Sequence, residues 1–230
     1  MVDIGIIGAM SAEVEKIIEA LDLRECKRIS GIDFYSGTLF GKRVAVAKCG
    51  IGKVFAAVCC EAMILHFSPR LIVNTGVGGA LSAELSPLDI VFAKSLVQHD
   101  MDTSPLGDPV GLVSGINKIY FDADARATEV LKCAADKMGV KSCVGIIATG
   151  DRFVASFEDK VRIRNTFLAD ACEMEGCAIA HTAFINSVPF AVVRAISDSA
   201  DGSSSMDYTS FLASAADISA RLTLELVKNY

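Results

Sequence analysis

The stretch Ala171-Cys-Glu-Met-Glu-Gly-Cys-Ala-Ile-Ala-His-Thr-Ala-Phe184 decides how the rest of the chain is read. Glu173 and Glu175 sit directly ahead of an apolar run, where carboxylates are costly because charge is expensive to take out of water. From Gly176 to Val193 there is no charged residue, a length that hydropathy alone would allow as a membrane span. Asn186, Ser187 and Pro189 argue against a span. They read as a turn that divides the run into a helix, Gly176 to about Ile185, and a strand, Phe190 to Ile196. The helix is apolar nearly all round and is expected to be buried. Glu175 then stands at the mouth of its first turn, and a second acidic pair, Asp198 and Asp201, lies just past the end of the strand. In an open α/β sheet, ligands bind outside the carboxyl ends of strands, so both acidic groups fall where a site would be.

The bulk composition narrows the class. A chain of 230 residues is long enough for a single core, and we expect one domain, residues 1–230. A mean hydropathy of +0.44 suits strands covered on both faces, or a buried subunit interface. A net charge of -6 without any run of Lys or Arg argues against a nucleic-acid partner, and the few aromatics form no stacking platform. The eight cysteines lie mostly in apolar segments and form no CxxC, which excludes a zinc knuckle and points to a reducing cytoplasm. Met1 runs into a short strand with Asp3 in place of a basic region, so no signal peptide is expected.

Taken in order, Ile4 to Gly8 reads as a strand and Ser11 as the cap of a helix carrying Glu13, Val14, Ile17, Ile18 and Leu21. In that first turn Glu13 has a plain reading, as a partner for the helix dipole. Phe34–Leu39 and Val44–Cys49 read as a hairpin around Phe40-Gly-Lys. Gly50-Ile-Gly-Lys opens a helix to His66. It is not a phosphate loop, because Ala47 stands at the first glycine position of that motif and Val54 follows the lysine. Leu71 to Ala80 is a buried strand entering a glycine-rich bend that lacks the full dinucleotide fingerprint. A strand from Asp89 to Val97 precedes a loop, His99 to Gly115. His99, Asp100 and Asp102 have metal-ligand character, but a loop packed on a partner subunit is the better reading. Ala123 to Gly139 is a helix and Val144 to Ala148 a buried strand. A last helix, Asp207 to Lys228, carries Phe211, Ala215, Ile218, Leu222 and Leu226 on one stripe.

Six motifs now stand in one order and spacing: Gly8-Ala-Met-Ser-Ala-Glu13-Val, Gly50-Ile-Gly-Lys, Asn74-Thr-Gly-Val-Gly-Gly, Thr149-Gly-Asp-Arg-Phe-Val, Glu173-Met-Glu-Gly and Arg194-Ala-Ile-Ser-Asp198. Together they resemble the 5′-methylthioadenosine/S-adenosylhomocysteine nucleosidase family of the nucleoside phosphorylase superfamily, over essentially the whole chain. The resemblance implies a three-layer α/β/α sandwich around a mixed, barrel-like sheet, a homodimer, and irreversible hydrolysis of an N-glycosidic bond without metal or organic cofactor. It implies Asp198 as the general acid at adenine N7, Glu13 as the base for water, and Glu175 as acceptor for the ribose hydroxyls. Met174 is expected against the sugar, Phe153 stacked on the base, the Val154 backbone on the base edge, and Arg194 holding Glu13 or the water. Met10, Ile51, Val77, Gly78 and Tyr208 complete the implied substrate-binding set. The His99 to Gly115 loop is expected to close the neighbouring subunit's 5′-substituent pocket through Leu106 and Pro109.

The chemistry suits those assignments. Adenine leaves poorly unless a ring nitrogen is protonated, and the sugar becomes oxocarbenium-like as the bond breaks. Related phosphorylases carry an arginine at the bend where this chain has Asn74 and Thr75, and Glu13 would repel a phosphate dianion, so water is the expected nucleophile. Many members have Ser where this chain has Val77; Thr75 or the backbone amides of Gly78 or Gly79 are expected to replace that hydroxyl. The competing enzyme readings are hydrolysis of aminodeoxyfutalosine and a phosphorylase. Outside enzymes, a nucleoside-binding or storage protein on the same fold would not need Glu13, Glu175 and Asp198 together.

Overall fold

The computed structural model describes residues 1–200 and 204–230, with the side chains of 204–206 left aside. Asp201, half of the second acidic pair, lies outside the described residues. The elements are β1 (Ile4–Gly8), α1 (Ser11–Glu19), β2 (Asp22–Ile29), β3 (Ile32–Leu39), β4 (Lys42–Lys48), α2 (Lys53–Phe67), β5 (Leu71–Ala80) and β6 (Ile90–Gln98). After a short 3₁₀ turn come β7 (Phe121–Asp122), α3 (Ala125–Met138), β8 (Ser142–Thr149), α4 (Phe157–Phe167), β9 (Ala171–Glu173), α5 (Gly176–Ile185), β10 (Phe190–Asp198) and α6 (Ser204–Asn229).

All ten strands join one mixed sheet. Strand β5 pairs with β9, β9 with β8, β8 with β6, β6 with β10, and β10 returns in parallel to β5. Those five strands close a ring, and β1, β4, β3 and β2 extend from β5 as an open wing. Closure matters here because it brings the carboxyl ends of β5 and β10 against β9 and the start of α5.

Alternation along the strands feeds two cores. Ile4, Ile6, Val193 and Ala195 face a cluster with α1, α3 and α6, through Val14, Ile17, Leu131 and Leu222. Ile7, Val192 and Ile196 face the opposite cluster with α2 and α5, through Cys59, Met63, Ile179 and Ala183. The result is three layers, helices on both faces of the sheet, as the resemblance implied. Helix α5 is buried over most of its length, as its unbroken apolar run requires.

The departures have local causes. Strand β2 is exposed along nearly all its length at the sheet edge, so its charged sequence carries no apolar alternation to read. Helix α4 stands on Ser156, whose hydroxyl accepts the Asp159 N–H, and buries Ile163 and Phe167; the signal was present in a polar stretch. Helix α1 begins one residue earlier than a Ser11 cap would place it: Met10 holds the cap position and Ser11 is the first helical residue. Asp198 is the last residue of β10 rather than a residue past its end. Asp100 is ion-paired to Lys53 at 2.7 Å and Asp102 accepts the Ser104 N–H at 2.8 Å, and among the described residues no metal-ligating cluster forms.

Candidate active site

A cavity opens where the carboxyl ends of β1, β5 and β10 meet the turns before α1, α2 and α5. Its wall includes Met10, Glu13, Ile51, Val77, Gly78, Phe153, Val154, Met174, Glu175, Asp198 and Tyr208. Arg194 is the one residue of the expected set that stands behind the wall. Gly79, an expected backbone donor, lines it as well; Ala9, Arg152, Cys172, Glu173 and Ser197 also do and were not singled out from the sequence as lining residues.

Glu13 is buried, and its bonds exceed those of a dipole partner. Oε2 accepts the N–H groups of Ala9 at 2.7 Å and Met10 at 2.9 Å, and Oε1 accepts that of Val77 at 3.1 Å. The side chain thus ties α1 to the glycine-rich segment, which is not the expected bend after a strand but part of β5 itself, paired with β10 as far as Gly79. Burial raises its proton affinity above the ordinary carboxylate value, although the Arg194 charge and these N–H groups act in the opposite sense.

Glu175 caps α5 and reaches across to the start of α2, where Oε1 accepts the Gly52 N–H at 2.8 Å. Burial first, and then the nearby Glu173 charge, push its carboxyl from the ordinary 4.5 up to about 8, against the pull of Arg194 and the Gly52 N–H. Asp198, 3% exposed, receives the Ser197 hydroxyl at 2.9 Å and the Ala200 N–H at 2.9 Å.

Behind these groups lies a buried ion pair. Arg194 donates to Glu173 Oε2 and to Asn74 Oδ1, and Asn74 in turn donates to the Ile7 carbonyl at 2.9 Å. Glu173 also accepts the Thr149 hydroxyl and the N–H groups of Glu175 at 3.0 Å and Gly176 at 2.6 Å. Arg194, expected to hold Glu13 or the water, makes no hydrogen bond to Glu13: its hydrogen bonds go to Glu173, Asn74 and backbone carbonyls, and it acts on Glu13 through its field. Thr75 is corrected too. Its hydroxyl bonds the Ser219 hydroxyl of α6 at 2.7 Å and lies outside the cavity wall, so it does not replace the hydroxyl missing at Val77. Gly78 and Gly79 do line the cavity.

At the mouth, Phe153 is 46% exposed and meets Tyr208 edge-on at 5.6 Å, and the Tyr208 hydroxyl donates to the Met10 sulfur at 3.3 Å. Aromatic and apolar side chains therefore form the mouth, and four carboxylates, of Glu13, Glu173, Glu175 and Asp198, line the cavity.

The phosphorylase superfamily model matches residues 3–228. The chain belongs to the phosphorylase superfamily. Within it, the chain is 37% identical to a 5′-methylthioadenosine/S-adenosylhomocysteine nucleosidase of Shewanella loihica, over 98% of this chain and 99% of that one. It superposes with a TM-score of 0.96 on the Neisseria meningitidis nucleosidase in complex with methylthio-immucillin-A, at 36% identity and 99% coverage of both chains. A futalosine hydrolase of Helicobacter pylori is also similar, with a TM-score of 0.95, 34% identity, and coverage of 99% of this chain and 98% of that one. Such likeness over full lengths includes the closed ring and both helical layers, so the superfamily's fold is the fold of this chain.

Two outcomes follow from the buried charges. Glu173→Ala leaves Arg194 unpaired inside the protein, and urea unfolding is expected to show a loss of about 3–5 kcal/mol; Glu173→Gln, which still accepts hydrogen bonds, should lose less. Glu175 binds its proton up to about 8 when folded but releases it at 4.5 when unfolded, so its contribution favours the fold at low pH and is lost as pH rises through that window. Glu175→Gln is therefore expected to lose less stability than the wild type between about pH 5 and about pH 8.5, read from urea midpoints.

Proposed function

We propose that the chain hydrolyses the N-glycosidic bond of 5′-methylthioadenosine and S-adenosylhomocysteine, releasing adenine and the 5′-thio-substituted ribose. The observation that carries this reading is the convergence of Glu13, Glu175 and Asp198, each nearly buried, on one cavity with an aromatic mouth. Asp198 gives a proton to adenine N7 as the C1′–N9 bond breaks and its electron pair passes to the base. Glu175, in its ionised form, accepts hydrogen bonds from the ribose hydroxyls and places negative charge beside the oxocarbenium-like sugar, whose developing positive charge favours that form over the protonated one. Glu13 takes a proton from the water whose oxygen bonds C1′. Phe153 stacks on the base, the Val154 backbone meets its edge, and Met174 packs on the sugar. Met10, Ile51 and Tyr208 face the 5′-substituent.

Water rather than phosphate follows from where the cations are. A phosphate dianion calls for a free guanidinium. Arg194 is committed to Glu173, and Arg152, the one cationic residue among those described in the cavity wall, is ion-paired to Asp159 at 2.8 Å. Aminodeoxyfutalosine stays as the second substrate reading, supported by the similar futalosine hydrolase; a carboxyl at Asp198 suits a 6-amino purine, donating to N7 while accepting from N6.

The reading extends to assembly and place. Val54, Phe55, Val58 and Leu65 of α2, and Phe184 and Ile185 of the adjoining α5, are exposed apolar side chains, which supports a homodimer formed through these helices. The His99 to Gly115 loop, with Leu106 and Pro109 exposed, would then reach the partner's 5′ pocket. Eight unpaired cysteines support a reducing cytoplasm, where methionine salvage would use the products.

In phosphate-free buffer, chromatography is expected to show adenine and free methylthioribose from 5′-methylthioadenosine, with Glu13→Gln and Asp198→Asn each slower by about 10²- to 10⁴-fold. A requirement for phosphate with release of a sugar phosphate would overturn hydrolysis, and faster turnover of aminodeoxyfutalosine would put the second substrate first. For assembly, light scattering should give twice the chain mass for the wild type and a monomer for Val58→Asp; a monomeric wild type would remove the dimer.

A further inference from the structure

Gly52 has no side chain, so the N-terminus of α2 is held by groups from elsewhere in the chain. Glu175 Oε1 accepts the Gly52 N–H at 2.8 Å, and Asp151 Oδ1 accepts the N–H of the next residue, Lys53, at 2.7 Å. Asp151 is itself fixed, because its N–H donates to Asp100 Oδ2 at 2.9 Å. Asp100 Oδ1 then accepts from Lys53 Nζ at 2.7 Å, and the same ammonium reaches Gln98 Oε1 at 3.2 Å. The circuit closes on Lys53, which is held by Asp151 at its backbone and by Asp100 at its side chain.

The packing is tight. A Cβ at Gly52 would stand 3.0 Å from Asp151 Oδ1, and the backbone there has a φ of 101°, which only glycine adopts freely. A Cβ at Gly150 would stand 2.4 Å from His99 Nε2 and 3.1 Å from Asp100 Cγ. The turn carrying Asp151 therefore cannot shift without moving its neighbours.

Lys53, Asp100 and Asp151 do not line the cavity, yet they decide where the first turn of α2 stands. Among the described residues the Gly52 N–H is the hydrogen-bond partner of the Glu175 carboxylate. Solvent-accessible ion pairs such as Lys53–Asp100 contribute little to stability, so this circuit matters for position more than for folding. We propose that Asp151, fixed by Asp100 and Lys53, is a positioning residue for Glu175. It sets the Gly52 N–H so that one Glu175 oxygen is held and the other faces the ribose hydroxyls. The inference rests on the reading of Glu175 as ribose acceptor.

The test uses the full chain and two nucleosides, 5′-methylthioadenosine and its 2′,3′-dideoxy analogue, which has no hydroxyl for Glu175 to accept. Asp151→Ala is expected to lower kcat/KM for the ribonucleoside about tenfold, since small misplacements at a reacting centre are costly. Asp151→Asn, whose amide oxygen still accepts the Lys53 N–H, should restore most of it. On the dideoxy analogue the same variants should match the wild type, and in a Glu175→Gln background Asp151→Ala should add no further loss on the ribonucleoside. Lys53→Met, which keeps the backbone N–H but frees Asp100, should show the same substrate dependence with a smaller loss. Equal losses on both nucleosides, or full activity of Asp151→Ala on the ribonucleoside, would overturn the inference. Adenine release by the wild type in phosphate-free buffer tests the activity itself, so failure of the positioning role and failure of the function are read from different measurements.

Discussion

The Arg194–Glu173 pair is the interaction on which the site depends. Both side chains are almost fully removed from water, and such a pair is costly unless most of its remaining donors and acceptors are used; among the described residues only the Arg194 Nε of this pair is left without a partner. Asn74 supplies part of that from β5, Thr149 from the end of β8, and the amides of Glu175 and Gly176 from the start of α5. Five strands or turns therefore meet at one charge pair. The closed ring makes this meeting possible, since β10 must lie beside β5 for Arg194 to reach Asn74, and β9 must lie between β5 and β8 for Glu173 to reach Thr149. Burial of the pair is thus also a device that specifies register: a one-residue slip of β10 would turn Arg194 to the other face.

The same pair sets the electrical state of the cavity. Four carboxylates, of Glu13, Glu173, Glu175 and Asp198, line the cavity, and Glu173 takes the direct contact of the buried Arg194 guanidinium behind it. Glu13 and Glu175 share only its field, and burial raises both above the ordinary value. A nucleosidase needs unequal carboxyls, an acid at the base and anions near the sugar and water. One cation among four acids produces inequality by geometry, because each acid's distance and hydrogen-bond supply differ.

Much of this was legible in the sequence, for physical reasons. The uncharged run from Gly176 to Val193 admitted only a buried helix followed by a buried strand, and α5 and β10 stand there. Glu175 and Asp198 stood out because a carboxylate bordering apolar sequence is costly enough to ask for a reason; Glu13, which alone read as a helix-dipole partner, became a candidate only through the six motifs taken together. Glu173 carried the same signal, but nothing local distinguishes an acid facing the cavity from one facing an arginine more than twenty residues later. Thr75 was misjudged because strand alternation fixes a side chain's face only once the neighbouring layer is known, and Ser219 of α6 supplies that layer. Strand β2 was invisible since an exposed edge needs no pattern.

The glycine-rich end of β5 shows how glycines can serve opposite ends. In a phosphate loop, glycines bring backbone N–H groups to an anion that arrives as ligand. Here a Cβ at Gly76 would stand 2.5 Å from Glu13 Oε1, and one at Gly79 would stand 2.9 Å from Asp198 Oδ1. The space that glycine leaves is filled by the protein's own carboxylates, and the Val77 N–H is given to Glu13 rather than to an incoming anion. An incoming dianion would find its donors taken and a carboxylate in contact with them. Glycines here make room for the protein's own carboxylates, so the residues touching them, rather than the glycines themselves, decide what the segment can accept.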